Sequence, residues 1–212
     1  MPVPPSLARV LALLLAVAPP LSAFAAGPAS IGLVDKVENE AKIVSRDQAA
    51  TAIVGTPVHM KDELRTGPEG RLKVIFRDST VLTLGEKASV VIDRYFYDPD
   101  QNVGETILQA TKGAFRFASG RIKELKDSKI AVSTPMADIG VRGTAFWGGA
   151  LDGKYGVLLL EREVVVSNQA GSVTLSAEGQ GTDIPSPFDP PGPARAWSAE
   201  KFARAVASVT LH

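Results

Sequence analysis

Short segments in which apolar and polar residues alternate dominate the chain. In the clearest of them, Leu72, Val74 and Phe76 alternate with their neighbours, as expected for a strand with one face in water. Strand-like runs of about four to eight residues recur at intervals of roughly eight to twelve residues, a spacing typical of sandwiches, barrels and short solenoids. No amphipathic helical pattern of about ten residues or more lies within residues 27–181. We therefore predict an all-β fold without βαβ units.

Turn residues separate these predicted strands. The dipeptide Asp152-Gly153 predicts a hairpin turn, because glycine accepts a positive φ without steric cost. Residues 31–34 and 41–44 are predicted to pair with each other across a short turn. The aromatic run at residues 95–97 is assigned to a loop that extends over residues 94–104.

The C-terminal part of the chain has a different pattern. Residues 185–193 contain five prolines and are predicted to form an extended connector. Beyond them, Ser198 can cap a helix that reaches about Val209, with Phe202, Val206 and Val209 at helical spacing. A helix this short is marginal alone in water, so we expect it to dock on its own domain.

The N-terminus carries the pattern of a cleaved export signal. Arg9 precedes an apolar run of nine residues, and Ala23-Phe24-Ala25 fits the small-x-small cleavage pattern. The run is too short to span a bilayer, and no later stretch is long enough to do so. We expect a mature chain that begins at Ala26 and is soluble in the periplasm. The predicted organisation is a signal peptide (1–25), a β domain (26–181), a Pro-rich linker (182–196) and a C-terminal helix (197–212).

Composition narrows the classes of function. The 23 basic residues balance the 23 acidic ones, so no overall charge favours nucleic acid. The absence of cysteine excludes disulfides, thiolate metal sites and a cysteine nucleophile. We predict no cofactor and no metal.

Four motifs then follow one another in a recognisable order. The first is the Thr66-Gly67 turn after Asp62, and the second is a hairpin at residues 71–84 that turns at Asp78-Ser79. The third motif consists of Gly113, Phe115 and Arg116, and the fourth is Thr134-Pro135 followed by Gly140-Val141-Arg142-Gly143-Thr144. Over residues 31–176 the sequence resembles the periplasmic domain of FecR-like proteins, the sensor half of iron-siderophore signalling regulators and of secreted relatives.

This resemblance implies an all-β module, either a short-stranded twisted sandwich or a β-solenoid-like stack. It transfers no catalytic residues, because no catalytic site is known for the domain. The best-known relatives carry a cytoplasmic segment that binds a sigma factor, followed by a membrane-spanning helix. This sequence opens with the signal peptide instead, so we do not expect it to signal across a membrane by itself.

Arg142 is the most specific candidate for a site. It lies between Gly140 and Gly143 in a largely apolar run, residues 139–147, that we assign to one strand. A buried guanidinium is costly without partners. Arg142 is therefore predicted either to join neighbouring loops through their carbonyl groups or to contact an anionic group of a partner. The same structural or partner role is assigned to the rest of the block: Thr134, Pro135 and Thr144.

Two further stretches each have a structural interpretation and a functional one. Residues 98–102 have oxygen side chains at alternate positions, but the following residues do not match a calcium loop, so a polar turn is predicted. Residues 112–129 are either a solvated, edge-protecting stretch or a weak contact for anionic surfaces. Six basic residues lie in this basic stretch: Lys112, Arg116, Arg121, Lys123, Lys126 and Lys129.

Catalysis has little support in the sequence. Glu161 and Glu163 are assigned to one strand face at a spacing that a glycosidase could use, but solvated carboxylates are the better interpretation. His59 is the only histidine besides His212, and no nucleophile-elbow motif accompanies it.

We therefore predict a non-catalytic periplasmic module that binds or scaffolds an envelope protein or polysaccharide. The alternatives are a ligand-sensing component of an envelope signalling system and a carbohydrate-active cell-wall enzyme. Strand edges, the aromatic run at residues 95–97 and the C-terminal helix are the surfaces on which a partner could dock.

Overall fold

A computed structural model describes residues 29–212 and places them in two nine-stranded β-sheets and one short α-helix, α1 (Ala199–Ala207). The predicted signal peptide lies outside the described residues. Numbered in chain order, the strands of sheet A are β1 (Gly32–Glu38), β4 (Pro57–Val58), β6 (Arg71–Phe76), β7 (Val81–Leu84), β10 (Phe115–Ala118), β13 (Ala145–Leu151), β14 (Lys154–Glu161), β17 (Gln180–Ile184) and β18 (Arg195–Ala196). Those of sheet B are β2 (Ala41–Ser45), β3 (Gln48–Thr51), β5 (Glu63–Thr66), β8 (Ser89–Asp98), β9 (Val103–Lys112), β11 (Asp127–Ser133), β12 (Asp138–Val141), β15 (Val164–Asn168) and β16 (Gly171–Leu175).

The spatial order of the strands follows the chain almost completely in both sheets. Sheet A runs β4-β1-β6-β7-β10-β13-β14-β17-β18, and sheet B runs β3-β2-β5-β8-β9-β11-β12-β15-β16. The chain changes sheet after every one or two strands, so the two sheets grow side by side in one direction. We call the β3/β4 side the N-terminal end and the β16/β18 side the C-terminal end. The prediction of an all-β, short-stranded stack with a C-terminal helix is confirmed.

The predicted pairing of the first two strands is wrong. Strand β1 pairs with β4 and β6 in sheet A, whereas β2 pairs with β3 and β5 in sheet B. The chain turns between them at Asn39, whose φ is 54°, and Val34 and Ala41 both enter the core. The apolar pattern of each strand identified its inward face correctly, but such a pattern does not say to which sheet the strand belongs.

The core lies between the two sheets and is built from alternate residues. In β6, Leu72, Val74 and Phe76 are buried while their neighbours are not, as the alternation predicts. The ring of Phe146 lies edge-on to Phe115, with centroids 5.7 Å apart. Burial of such large apolar side chains is the main favourable contribution to folding.

Residues 94–98 belong to strand β8, so their assignment to a loop is wrong. Strand β8 pairs with β9 as far as Asp98, after a bulge between Ile92 and Arg94. The ring of Tyr95 is buried and stacks on Phe76 at a centroid distance of 5.2 Å. The hairpin turn predicted at Asp152-Gly153 is confirmed, with φ of 55° and 75° between β13 and β14.

The buried carboxylate of Asp78 joins three segments that are far apart in sequence. It accepts hydrogen bonds from the Tyr95 hydroxyl (2.9 Å), the Thr80 hydroxyl (2.6 Å) and the Thr80 amide (3.2 Å). It also accepts one from the Ile122 amide at 3.3 Å, in the 3₁₀ turn Arg121–Glu124. The β6–β7 turn, strand β8 and this 3₁₀ turn therefore meet at one carboxylate.

Residues 197–212, which we call the C-terminal segment, lie across the outer face of sheet A. Its helix begins after Ser198, whose hydroxyl accepts a hydrogen bond from the Lys201 amide at 3.2 Å, as the predicted cap requires. Trp197 packs edge-on against Trp147 of β13 at 5.9 Å, and the Trp147 indole N–H donates to Ser208 Oγ at 3.0 Å.

Charged side chains complete the docking of this segment. Both oxygens of Asp152 accept hydrogen bonds from Arg204, at 2.6 and 2.8 Å. At the end of the chain, His212 hydrogen-bonds to Lys36 and Glu38 of β1. The segment thus spans sheet A from its C-terminal end almost to its N-terminal end.

Removing the carboxylate of Asp78 should destabilise the protein strongly. We expect Asp78→Ala to lower the free energy of unfolding by roughly 3–4 kcal/mol, because several buried donors lose their acceptor at once. Tyr95→Phe, which removes one donor to the carboxylate and the acceptor of the Asp78 amide, should cost about 1–2 kcal/mol. Urea unfolding followed by circular dichroism measures both, with Asp100→Ala in an exposed turn as the control. Similar losses in all three variants would show that the Asp78 carboxylate does not hold these segments together.

Candidate binding surface at the Arg142 turn

Arg142 lies in a turn and not in a strand. Strand β12 ends at Val141 and β13 begins at Ala145, so the predicted single strand over residues 139–147 is wrong. Gly143 takes a φ of 62°, which directs the chain from sheet B to sheet A. The side chain of Arg142 is 79% exposed, and its guanidinium is 3.9 Å from Glu163. It is therefore not the buried group that the apolar run predicted.

The residues that follow Arg142 are held rigidly. Thr144 is buried, its amide donates to Ser119 Oγ at 3.2 Å, and its carbonyl accepts the Ser119 amide at 2.9 Å. A Cβ at Gly143 would approach Lys123 Cβ to 3.0 Å. The predicted structural role therefore suits Thr144, whereas Arg142 projects into solvent from a fixed backbone.

The same turn is connected to the Asp78 carboxylate. Gly120 follows Ser119 in the chain, and its amide donates to Thr80 Oγ1 at 2.9 Å. A Cβ at Gly120 would lie 2.2 Å from the carbonyl oxygen of Asp78, so this contact requires glycine. Three turns therefore contact one another in series at one rim of the sandwich. We call this surface the motif rim, made of residues 78–80, 119–123 and 142–144.

The motif rim is partly cationic. Arg121 and Lys123 are exposed in the 3₁₀ turn, and the Arg121 guanidinium lies 5.8 Å from the centre of the Tyr97 ring. Together with Arg142 they place three cations around the contact between Lys123 and Gly143. Two acidic side chains adjoin these cations: Glu163 beside Arg142, and Glu124, which is exposed at the end of the same 3₁₀ turn.

The basic stretch at residues 112–129 does not form one patch. Lys112 ends β9, and Arg116 lies in sheet A within β10. Lys129 lies in sheet B, 3.9 Å from Glu105. Only the members in the 3₁₀ turn, Arg121 and Lys123, belong to the motif rim.

Thr134 and Pro135 lie at the other end of β12. The Thr134 hydroxyl accepts the Met136 and Ala137 amides, at 3.2 and 3.0 Å, and donates to the Ala137 carbonyl at 2.8 Å. Pro135 lines a small polar groove of about 380 Å³. Since β12 has four residues, roughly 13 Å of strand separates this turn from Arg142. The four predicted residues therefore form two separate groups.

The calcium-loop and glycosidase candidates of the sequence analysis form an ordinary turn and two separate strand ends. Asp98 Oδ1 accepts the amides of Asp100 and Gln101 at 3.1 Å each, forming a polar turn. In residues 29–212 no group of three or more His, Cys, Asp or Glu side chains could hold a metal ion. Glu161 ends β14 in sheet A and Glu163 precedes β15 in sheet B, so their assignment to one strand face is wrong.

His59 does not complete a catalytic triad. Its amide donates to Asp62 Oδ2 at 2.7 Å and its imidazole Nδ1 lies 3.5 Å from the same oxygen, while the Ser45 hydroxyl donates to the other oxygen of the carboxylate. The serine and the histidine are thus both attached to the aspartate, whereas a triad requires the histidine to contact the serine.

Sequence reasoning missed the contributions of Asp78 and Ser119. Asp78 was visible as part of a turn motif, but its burial could not be seen in the residue pattern. Ser119 belongs to no motif, and its contact with Thr144 joins residues 25 positions apart.

The fold and the motif rim together define an all-β stack whose turns are joined by a buried polar network. Residues 62–165 match the family model described as FecR protein. These residues are a FecR domain, and the predicted resemblance to the FecR family is confirmed. No curated protein matches the chain.

Solved structures show a similar fold. Two crystal structures of a candidate anti-sigma factor from Parabacteroides distasonis, at 2.50 and 1.65 Å resolution, align with TM-scores of 0.52 and 0.50. Both are 17% identical to this chain and cover 66% of it, and the chain spans 62% of the length of that protein. Within residues 29–212, no helix has the length and apolar character needed to cross a membrane.

The role of Arg142 can be separated from that of its turn by stability measurements. Arg142→Ala should change the free energy of unfolding by less than about 0.5 kcal/mol, because the side chain is exposed. Gly143→Ala should cost roughly 1–2 kcal/mol, since alanine disfavours a positive φ and its Cβ crowds Lys123. Urea unfolding of both variants is the measurement. A larger loss for Arg142→Ala than for Gly143→Ala would restore the structural interpretation of Arg142.

Two buried tyrosines should make the folded protein less stable at alkaline pH. Burial raises the pKa of Tyr155 to about 12, and the nearby Thr134 side chain offsets part of this rise. The Tyr155 hydroxyl makes no hydrogen bond of good geometry with any described residue. Burial and the Asp78 carboxylate also raise the pKa of Tyr95.

The unfolded chain loses these protons first, near pH 10, so the stabilisation is complete below that pH and falls as the pH rises further. The expected slope is about −1.4 kcal/mol per pH unit for each tyrosine. Urea unfolding between about pH 8 and pH 11 measures it, and Tyr155→Phe should reduce the slope. An unchanged slope in that variant would contradict the assignment.

Proposed function

We propose that this protein is a periplasmic binding module of an envelope signalling system, which docks a partner protein at the motif rim and performs no catalysis. The FecR domain at residues 62–165 carries the proposal. The export pattern at residues 1–25 supports the location. The likeness to a candidate anti-sigma factor supports a role in signalling.

The geometry of Arg142 favours it as the centre of the contact. Its backbone is fixed by Gly143 and Thr144, so little conformational freedom of the main chain is lost when a partner binds. Arginine is enriched among the residues that dominate binding energy, and its planar guanidinium can hold a carboxylate with two hydrogen bonds. Arg121 and Lys123 lie on the same rim, which favours a partner with an acidic patch.

The distribution of polar groups supports binding over catalysis. Glu161 and Glu163 flank a chain turn at Arg162, whose φ is 59°. Asp78 accepts four hydrogen bonds in the interior, so it is committed to the fold. The acidic and hydroxyl groups with the most contacts thus hold the structure together.

Site-specific crosslinking in intact cells tests the proposal. A photoreactive phenylalanine derivative replaces Arg142 in the full chain. The control carries it at Lys154, an exposed cation at the far end of the β13–β14 hairpin from Arg142. We expect a protein adduct in the periplasmic fraction from position 142 and none from position 154. Arg142→Glu should then weaken binding to the captured partner at least about tenfold, while Arg142→Lys weakens it less.

Three results would count against this function. Equal adducts at both positions would show that the motif rim is not the contact surface. Recovery of this protein only in the cytoplasmic fraction would contradict the periplasmic location. An adduct that survives protease but is released by cell-wall hydrolases would indicate a polysaccharide partner instead.

A further inference from the structure

The edge strand β3 leaves main-chain hydrogen-bonding groups without a partner strand. It pairs with β2 on one side only and ends sheet B within the described chain. The Ala52 amide donates to the Ala41 carbonyl at 2.9 Å, and this bond fixes the phase of the ladder. Since antiparallel pairs alternate, Ala50 directs its amide and carbonyl toward β2, whereas Ala49 and Thr51 direct theirs outward.

This edge lacks most of the features that usually prevent strand addition. Strand β3 contains no charged residue, no proline and no bulge, and all four of its residues are exposed. Its shortness is the one protective feature that it has. The two residues after Ala52, Ile53 and Val54, are each 65% exposed, so apolar surface adjoins the open edge.

The C-terminal end is covered in a way that the N-terminal end is not. Pro190 packs against Gly171 at the start of β16, and Asn168 Nδ2 donates to the Asp189 carbonyl at 2.7 Å. Trp197 covers the adjacent part of sheet A. Stacked β architectures need covered ends to stay soluble, and among residues 29–212 no comparable segment lies over β3.

The charges favour a second copy of the same chain as the occupant. A twofold-symmetric contact places each surface against itself, so the surface must be electrostatically self-complementary. Strand β3 is neutral, and the turn before it carries one cation and one anion, Arg46 and Asp47. No like charges would be brought together along the strand itself.

We propose that two copies of this protein pair antiparallel through β3, with the twofold axis at Ala50. In this register Ala49 of each copy faces Thr51 of the other, and four main-chain hydrogen bonds form. The two Ala50 side chains face each other in the close, non-hydrogen-bonded position. Beyond the paired strands, the Arg46-Asp47 turn of each copy comes beside Ile53 and Val54 of the other. The contact is short, so we expect a weak, concentration-dependent dimer.

Charge swapping at Ala50 tests both the dimer and its register. Analytical ultracentrifugation of the full chain between about 1 µM and 1 mM should show a reversible monomer–dimer equilibrium. Ala50→Lys and Ala50→Glu, measured separately, should each weaken the dimer at least about tenfold, because like charges then face each other. An equimolar mixture of the two variants should restore the dimer. The position is exposed, and circular dichroism checks that both variants fold.

Ser172→Lys is the matched control, since Ser172 is an exposed, uncharged residue on the opposite edge strand, β16. It should leave the equilibrium unchanged. A chain that stays monomeric up to 1 mM or so, a dimer that tolerates Ala50→Lys, or variants that do not recover on mixing would each overturn the proposal. Loss of association in Ser172→Lys would indicate head-to-tail contact, which also contradicts it. None of these results bears on binding at the motif rim.

Discussion

The burial of one carboxylate, that of Asp78, constrains much of this structure. A buried charge is stable only when donors surround it, and Asp78 has no ion-pair partner among residues 29–212. Its donors come from the β6–β7 turn, from Tyr95 in β8 and from the 3₁₀ turn before β11. The carboxylate is satisfied only when these three segments are in place together, which links neighbouring hairpins of both sheets. The position of the 3₁₀ turn in turn fixes Ser119, and Ser119 fixes Thr144.

This series of contacts distinguishes two kinds of residue within the FecR motifs, those that hold the fold and one that is available to a partner. Asp78, Gly143 and Thr144 have their roles inside the fold, so a match at these positions reports mainly architecture. Arg142 differs from them because its guanidinium extends from the same rigid turn into solvent. The backbone holds the charge in place, while the charge itself contributes little to the fold.

Some of this could be predicted from the sequence, because it depends on local patterns. Alternation in β6, the Asp152-Gly153 turn and the cap at Ser198 all report the environment of a few adjacent residues. Alternation does not report which sheet a strand joins, and β1 and β2 were therefore paired wrongly. The run at residues 139–147 was assigned to one strand because its residues are largely apolar, yet the chain passes from sheet B to sheet A within it, at Gly143. The burial of Asp78 depends on contacts with residues up to 44 positions away, which no local pattern contains.

The C-terminal segment has a consequence for how the protein unfolds. In a stack where each strand contacts its sequence neighbours, one end can open while the other stays folded. Here residues 197–212 connect β17 and β13 to β1 through Trp197, Arg204 and His212. Opening either end of sheet A therefore disturbs contacts made by the other end. A repetitive stack is in this way turned into a cooperative unit, because residues 197–212 join its two ends.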